Sequence, residues 1–143
     1  MSINLRHIGI VTKNLEKSLE FYRDILGFKI KTEALENKDF IDRILNLKDT
    51  ALKTVKLVDP RGGIIELLHY DNPASRTIKM EINDLGLSHF ALTVENLDDI
   101  YNMLKKSGAN FISAPTLSPD NKAKVCFCYD PNGIAIELVE EII

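Results

Sequence analysis

The chain has 143 residues, 45% hydrophobic and 27% charged, which predicts one globular domain over residues 1–143 and excludes a disordered chain. Its net charge of −3 gives no electrostatic reason to expect nucleic acid or an anionic membrane as a partner. The longest apolar run is too short to span a bilayer, and the first residues lack a secretory signal pattern, so we expect a cytoplasmic protein.

The chain begins with the pattern of a strand, a helix and a second strand. Residues 3–12 alternate as a strand, with His7 on the face opposite Ile8. Asn14 is a favourable N-cap for the helix that follows, and Gly27 suits its C-terminal end. Residues 28–31 then begin the second strand.

A hairpin is predicted to complete this first half. Residues 52–58 and 64–70 are strongly apolar runs on either side of the turn Asp59-Pro60-Arg61-Gly62-Gly63. The preceding segment, residues 36–48, suits either a short amphipathic helix or a segment that covers a pocket.

The second half repeats these signals after a linker over residues 71–86. It has a helix between Asn96 and Gly108, and its strands are predicted at residues 87–94, 110–113, 123–129 and 134–140. The fold class is therefore α+β, with two β-α-β-β-β modules, residues 1–70 and 87–143, related by a pseudo-twofold axis.

One carboxylate in each half lies inside an apolar strand. Glu66 follows Asp59 by seven residues, and Glu137 follows Asp130 by seven residues. A carboxylate is rarely buried without a partner, because its desolvation costs several kcal/mol. The repeated placement therefore predicts a cation near both glutamates.

Two histidines at repeat-equivalent positions complete the candidate site. His7 and His89 occupy the first strand of each half, and alternation places both histidines and both glutamates on the sheet face away from the helices. Two imidazoles and two carboxylates suit one divalent ion, Zn, Ni, Co, Mn or Fe(II). Such an ion keeps open positions for two neighbouring substrate oxygens and can stabilise an enediolate, with a displaced glutamate carrying the proton.

Each of these residues also has an ordinary structural interpretation. A single histidine is more often a hydrogen-bonded side chain, and a single glutamate could pair with a lysine, so the prediction depends on the fourfold coincidence. His69 lies three residues after Glu66, on the other face, and is predicted to be packed or exposed. Cys126 and Cys128 lie two apart on one strand, which predicts reduced thiols that are packed or half-exposed.

The sequence resembles the vicinal oxygen chelate superfamily, which includes glyoxalase I, methylmalonyl-CoA epimerases, extradiol dioxygenases, fosfomycin thiol transferases and bleomycin resistance proteins. The residues that carry the resemblance are Arg6-His7-Ile8-Gly9, Phe21-Tyr22-Arg23-Asp24-Ile25-Leu26-Gly27-Phe28, Ser88-His89-Phe90-Ala91, and Asp130-Pro131-Asn132-Gly133 with Glu137. The resemblance implies a curved, barrel-like mixed sheet around a metal bound by His7, Glu66, His89 and Glu137.

The complete set of two histidines and two glutamates favours glyoxalase I (lactoylglutathione lyase) within this superfamily. It implies a lyase or isomerase acting on a 2-oxoaldehyde–thiol adduct or a similar substrate with vicinal oxygens, with Glu137 and then Glu66 as proton carriers. The alternatives are a methylmalonyl-CoA-type epimerase and a non-enzymatic protein that binds or sequesters a small molecule. A fourth ligand counts against an extradiol dioxygenase.

The resemblance also implies a homodimer, since family members of this length usually pair, and the four ligands could come from one chain or from two. Arg43 and Arg76 could bind a carboxylate or phosphate of the substrate, although each is more simply explained as a solvated surface arginine.

Overall fold

The computed structural model describes residues 1–142 and divides the chain into two units, Met1–Thr77 and Ile78–Ile143. The predicted linker, residues 71–86, is shared between them, and the end of the second predicted module, residue 143, lies outside the described residues. That the two units act as a single domain stays a prediction.

Unit 1 follows the predicted order of elements. They are β1 (Ile8–Val11), α1 (Leu15–Leu19), which continues as a π-helical segment (Glu20–Ile25), β2 (Lys29–Leu35), α2 (Lys38–Leu45), β3 (Ala51–Val58) and β4 (Ile64–Asn72). The sheet order is β1-β4-β3-β2, with β1 parallel to β4 and the other pairs antiparallel. The ambiguous segment before β3 is thus a helix.

Unit 2 repeats this arrangement without a counterpart of α2. Its elements are β5 (His89–Thr93), α3 (Leu97–Lys106), β6 (Thr116–Leu117), β7 (Ala123–Tyr129) and β8 (Ala135–Glu141). The sheet order is β5-β8-β7-β6, again with one parallel pair, β5 and β8. The predicted α+β class with two β-α-β-β-β modules is confirmed.

The helix caps explain why the helices begin where they do. The Oδ1 atoms of Asn14 and Asn96 accept backbone N–H groups of Lys17 and Asp99 at 3.1 and 3.2 Å, as predicted for N-caps. Asn37 caps α2 in the same way, with 2.9 Å to the Phe40 N–H. These bonds satisfy donors that have no partner within the helix.

The two aspartates that begin the hairpin turns stabilise them by the same hydrogen bonds. Asp59 Oδ1 accepts the N–H groups of Arg61 and Gly63 at 2.8 and 2.9 Å. Asp130 Oδ1 accepts the N–H groups two and four residues later at the same two distances. Each turn thereby fixes the register that brings Glu66 and Glu137 to their positions on β4 and β8.

Alternation along the strands places the apolar side chains on one face of each sheet, as predicted. Ile10 and Leu67 in unit 1 are buried, as are Phe90, Ile136 and Leu138 in unit 2. The opposite face carries the candidate site. This division follows from the two-residue period of a strand.

Two strand predictions are wrong in extent. Residues 3–7 were expected in the first strand, but β1 begins at Ile8, which pairs with Ile65 at the start of β4. Residues 3–7 would lie beside the turn that precedes β4, where there is no strand for them to pair with.

Residues 110–113 were expected as the second strand of module 2, but they form only an isolated bridge, Phe111 with Cys128. Ser113 Oγ accepts the Phe127 N–H at 3.2 Å in place of a backbone carbonyl, and Pro115 has no N–H to donate. The ladder resumes at β6, Thr116–Leu117.

Cys126 and Cys128 are free, as predicted, and both are buried. Burial raises the pKa of the Cys126 thiol to about 11 and that of Cys128 to about 12. Both thiols are therefore protonated and unreactive at neutral pH, because the thiolate is the nucleophile.

We expect neither thiol to react with a disulfide reagent at pH 8 in the folded protein, and both to react after denaturation. Since the folded pKa values are raised, the unfolded chain loses its thiol protons first, so the free energy of unfolding should decrease as pH rises above about 8.5. Thiol titration with and without denaturant measures the first effect, and denaturation at pH 8 and 10 the second. Rapid labelling of the native protein would contradict this prediction.

Candidate metal centre

In unit 1, the parallel pairing of β1 with β4 brings an imidazole to a carboxylate. Gly9 is the register partner of Glu66, and His7 stands two residues earlier, on the same face. His7 Nε2 lies 3.5 Å from Glu66 Oε1. The side chains are 29% and 15% exposed, so both can still be reached from solvent.

Unit 2 contains the same arrangement at the equivalent positions. Ala91 is the register partner of Glu137, with His89 two residues earlier. His89 Nε2 lies 3.2 Å from Glu137 Oε2, and the two side chains are 34% and 26% exposed. The residue beside each glutamate on the neighbouring strand is small, Gly9 in unit 1 and Ala91 in unit 2.

The separations in both pairs suit two donors of one metal ion. Bonds of about 2.0–2.2 Å place neighbouring donor atoms roughly 3.0–3.5 Å apart in octahedral or tetrahedral coordination. The measured 3.5 and 3.2 Å fall in this range. Nitrogen and carboxylate oxygen together match the preferences of first-row divalent ions.

His89 has an additional hydrogen bond that fixes its ring. Ser88 Oγ lies 2.6 Å from His89 Nδ1. The other ring nitrogen, Nε2, is thereby directed at Glu137. Such a bond to the remote nitrogen typically orients a metal-ligating histidine. Ser88 belongs to the motif Ser88-His89-Phe90-Ala91, but the sequence alone does not show that its hydroxyl contacts the histidine ring.

The cross-strand neighbours of the two glutamates differ. Lys56 on β3 is the register partner of Glu66, and its Nζ lies 3.9 Å from Glu66 Oε2. The equivalent partner of Glu137 is Phe127, whose ring meets that of His89 edge-on at 5.0 Å between centroids. One glutamate therefore faces a cation and the other an aromatic ring.

The structure brings each predicted histidine to its glutamate. Within residues 1–142, it shows no group of three or more His, Cys, Asp or Glu side chains close enough to hold a metal ion. That all four residues share one ion stays a prediction.

The remaining candidate residues are His69, Arg43 and Arg76. His69 Nδ1 is 3.1 Å from the Thr12 carbonyl oxygen and its Nε2 is 3.3 Å from Asp71, which is the packed one of the two positions expected for it. Arg43 and Arg76 are exposed.

Comparison with known proteins defines the class to which this fold and these pairs belong. The profile of the Glyoxalase/Bleomycin resistance protein/Dioxygenase superfamily matches residues 4–138. The chain belongs to this superfamily.

Several relatives are lactoylglutathione lyases. The enzyme of Neisseria meningitidis is 26% identical over 142 residues, covering 97% of this chain and 91% of its own length. That of Schizosaccharomyces pombe is 28% identical over 144 residues and covers 96% of this chain, but the chain spans only 47% of that enzyme. A Staphylococcus haemolyticus metallothiol transferase, FosB, is 30% identical over 136 residues, covering 94% of this chain and 81% of its own length. Membership of the superfamily alone therefore does not determine which reaction this chain catalyses.

Solved structures share the fold. A glyoxalase family protein from Bacillus cereus superposes with a TM-score of 0.91 over 100% of this chain and 97% of its own, at 23% identity. Glyoxalase I of Leishmania major superposes with a TM-score of 0.71 over 98% of this chain and 88% of its own, at 22% identity. Within the described residues, no helix is both long and apolar enough to cross a membrane.

Proposed function

We propose that this protein is a divalent-metal-dependent enzyme of the glyoxalase I type. It would act as a lyase or isomerase on a 2-oxoaldehyde–thiol adduct or a similar substrate with vicinal oxygens. The observation that carries the proposal is the His–Glu pair that recurs at equivalent positions of both units, with nitrogen–oxygen separations of 3.5 and 3.2 Å.

In this proposal His7, Glu66, His89 and Glu137 hold one divalent ion, Zn, Ni, Co, Mn or Fe(II). Two neutral imidazoles and two carboxylates balance its charge, and the donor set is the one these ions accept. The bound ion supplies Lewis acidity toward a substrate carbonyl oxygen.

Glu137 is the proton carrier we favour. It would accept a proton from the carbon next to the substrate carbonyl and return it to the neighbouring carbon, so that no electron acceptor is needed. The surroundings of the two glutamates support this choice over Glu66, because Lys56 stands 3.9 Å from Glu66, whereas Glu137 has Phe127 across the strand. Glu66 therefore has a lysine as an ion-pair partner, whereas the residue across the strand from Glu137 is uncharged.

We also propose that the protein acts in the cytoplasm as a homodimer. The four ligands would then come from one chain or from two. Mixing His7→Ala and Glu137→Ala chains distinguishes these arrangements, because only a shared site regains metal binding in the mixed dimer. Sedimentation that shows only monomer at micromolar concentration would contradict the dimer.

The proposal is tested by assaying metal-loaded protein on the adduct of methylglyoxal and glutathione, following formation of the thioester. We expect turnover that disappears on chelation and returns with added Ni, Co, Mn or Zn. Epimerisation of an acyl-CoA without reaction of the adduct would select the epimerase alternative. Ligand binding that survives both chelation and loss of His7 would select a non-enzymatic binding protein.

A further inference from the structure

Lys56 stands beside the candidate metal centre but belongs to none of the predicted ligands. It is the register partner of Glu66 in the antiparallel pair β3–β4, so the two side chains share one face of the sheet. Its side chain is only 31% exposed. Lys56 has no counterpart in unit 2, where Phe127 stands, so a pattern of repeated residues does not reveal it.

The ammonium group of Lys56 retains its hydrogen-bonding capacity. Its 3.9 Å separation from Glu66 Oε2 is longer than a hydrogen bond. Lys38 and Lys124, by contrast, contact Asp42 and Asp98 at 3.1 and 2.8 Å. Across residues 1–142 the structure shows no hydrogen bond from Lys56 Nζ, so its three donors are open to water or to a ligand.

Neutralisation of Glu66 does not by itself explain this lysine. Glu137 occupies the equivalent position in unit 2 with Phe127 as its cross-strand partner. A glutamate in this position of the fold therefore does not require a lysine beside it. In the proposed site, a divalent ion would already balance the negative charge of Glu66. The Lys56 ammonium therefore adds positive charge, which favours binding of an anion.

We propose that Lys56 binds a carboxylate of the substrate, next to the pair of oxygens that the metal site takes. This inference rests on the proposed function and narrows its substrate class to compounds with vicinal oxygens that also carry a carboxylate within reach of Lys56. Lys56 is in this sense a specificity-determining residue. Its ammonium lies next to Glu66, which in turn contacts His7.

The test uses two chelators that differ by one carboxylate, acetohydroxamate and malonohydroxamate. Each is titrated into cobalt-loaded protein, with the visible cobalt absorption and calorimetry as readouts. Lys56→Met keeps the unbranched side chain without its charge and should weaken malonohydroxamate binding at least about tenfold, with acetohydroxamate changed less than about twofold. Lys56→Arg should retain most of the preference.

Lys53→Met is the matched control, because Lys53 lies on the same strand, three residues away, on the opposite face. It should change neither affinity. Equal losses for both chelators in Lys56→Met, or the same selective loss in Lys53→Met, would overturn the inference. Absence of cobalt binding by the unmodified protein, seen before any chelator is added, would instead remove the proposed function and this inference with it.

Discussion

Replacing either His7 or His89 by alanine should weaken binding of a divalent ion at least about 100-fold. Each imidazole faces a carboxylate oxygen through Nε2, at 3.5 Å in unit 1 and 3.2 Å in unit 2. Alanine removes one donor and leaves the neighbouring glutamate with no nitrogen partner for the ion. Elemental analysis after loading with Ni, Co, Mn and Zn measures the effect, with about one ion per chain expected for the unmodified protein.

His69→Ala provides the control for this loss. Its imidazole lies on the opposite face of β4 from Glu66 and contacts Thr12 and Asp71 instead. We expect this variant to keep its ion with unchanged affinity. Metal content that is insensitive to all three substitutions would place the ion elsewhere, and an empty protein under every loading condition would remove the enzyme proposal.

The pairing of histidine with glutamate could be predicted from the sequence because it depends on local rules. The pleat places every second side chain on one face, so the apolar residues around Glu66 and Glu137 already fix where both carboxylates point. Equivalent positions in two halves then supply the histidines. The structure places each histidine beside the glutamate of its own half, and that these residues bind an ion stays a prediction.

The ends of the strands could not be predicted from the sequence pattern, because a strand extends only as far as its partner strand does. The pattern of residues 3–7 is that of a strand, yet β4 begins only at Ile64 and offers them no neighbour. Similarly, residues 110–113 do not form a regular strand, because Ser113 Oγ accepts the hydrogen bond of the Phe127 N–H. A hydrogen bond from a side chain competes with the ladder and leaves no periodic signal.

Lys56 and Ser88 illustrate what a search for repeats omits. Neither residue has a chemically similar counterpart in the other half, where Phe127 and Arg6 stand. The register that joins Lys56 to Glu66 follows from the length of the Asp59–Gly63 turn, so counting back through the hairpin would have found it. Functional differences between the halves are expected at such unrepeated positions.

Glu137→Gln should lower turnover on the methylglyoxal–glutathione adduct at least about 100-fold at saturating metal. The amide preserves the size of the side chain and can still offer its oxygen to an ion, but it cannot accept and return a proton. Glu66→Gln should lower turnover less, since Glu66 has Lys56 beside it and is proposed as the second proton carrier. Initial rates, together with solvent deuterium incorporation into the product, measure the proton transfer directly.

Glu140→Gln serves as the matched control. Glu140 is on the same strand but on the opposite face, where its carboxylate accepts the Leu97 N–H at 3.0 Å. Glutamine can accept the same hydrogen bond, so turnover should be unchanged. Full turnover by Glu137→Gln with metal bound would mean that Glu137 is not the proton carrier. A loss shared equally by Glu137→Gln and Glu66→Gln would mean that both act through the ion, and that Lys56 does not distinguish them.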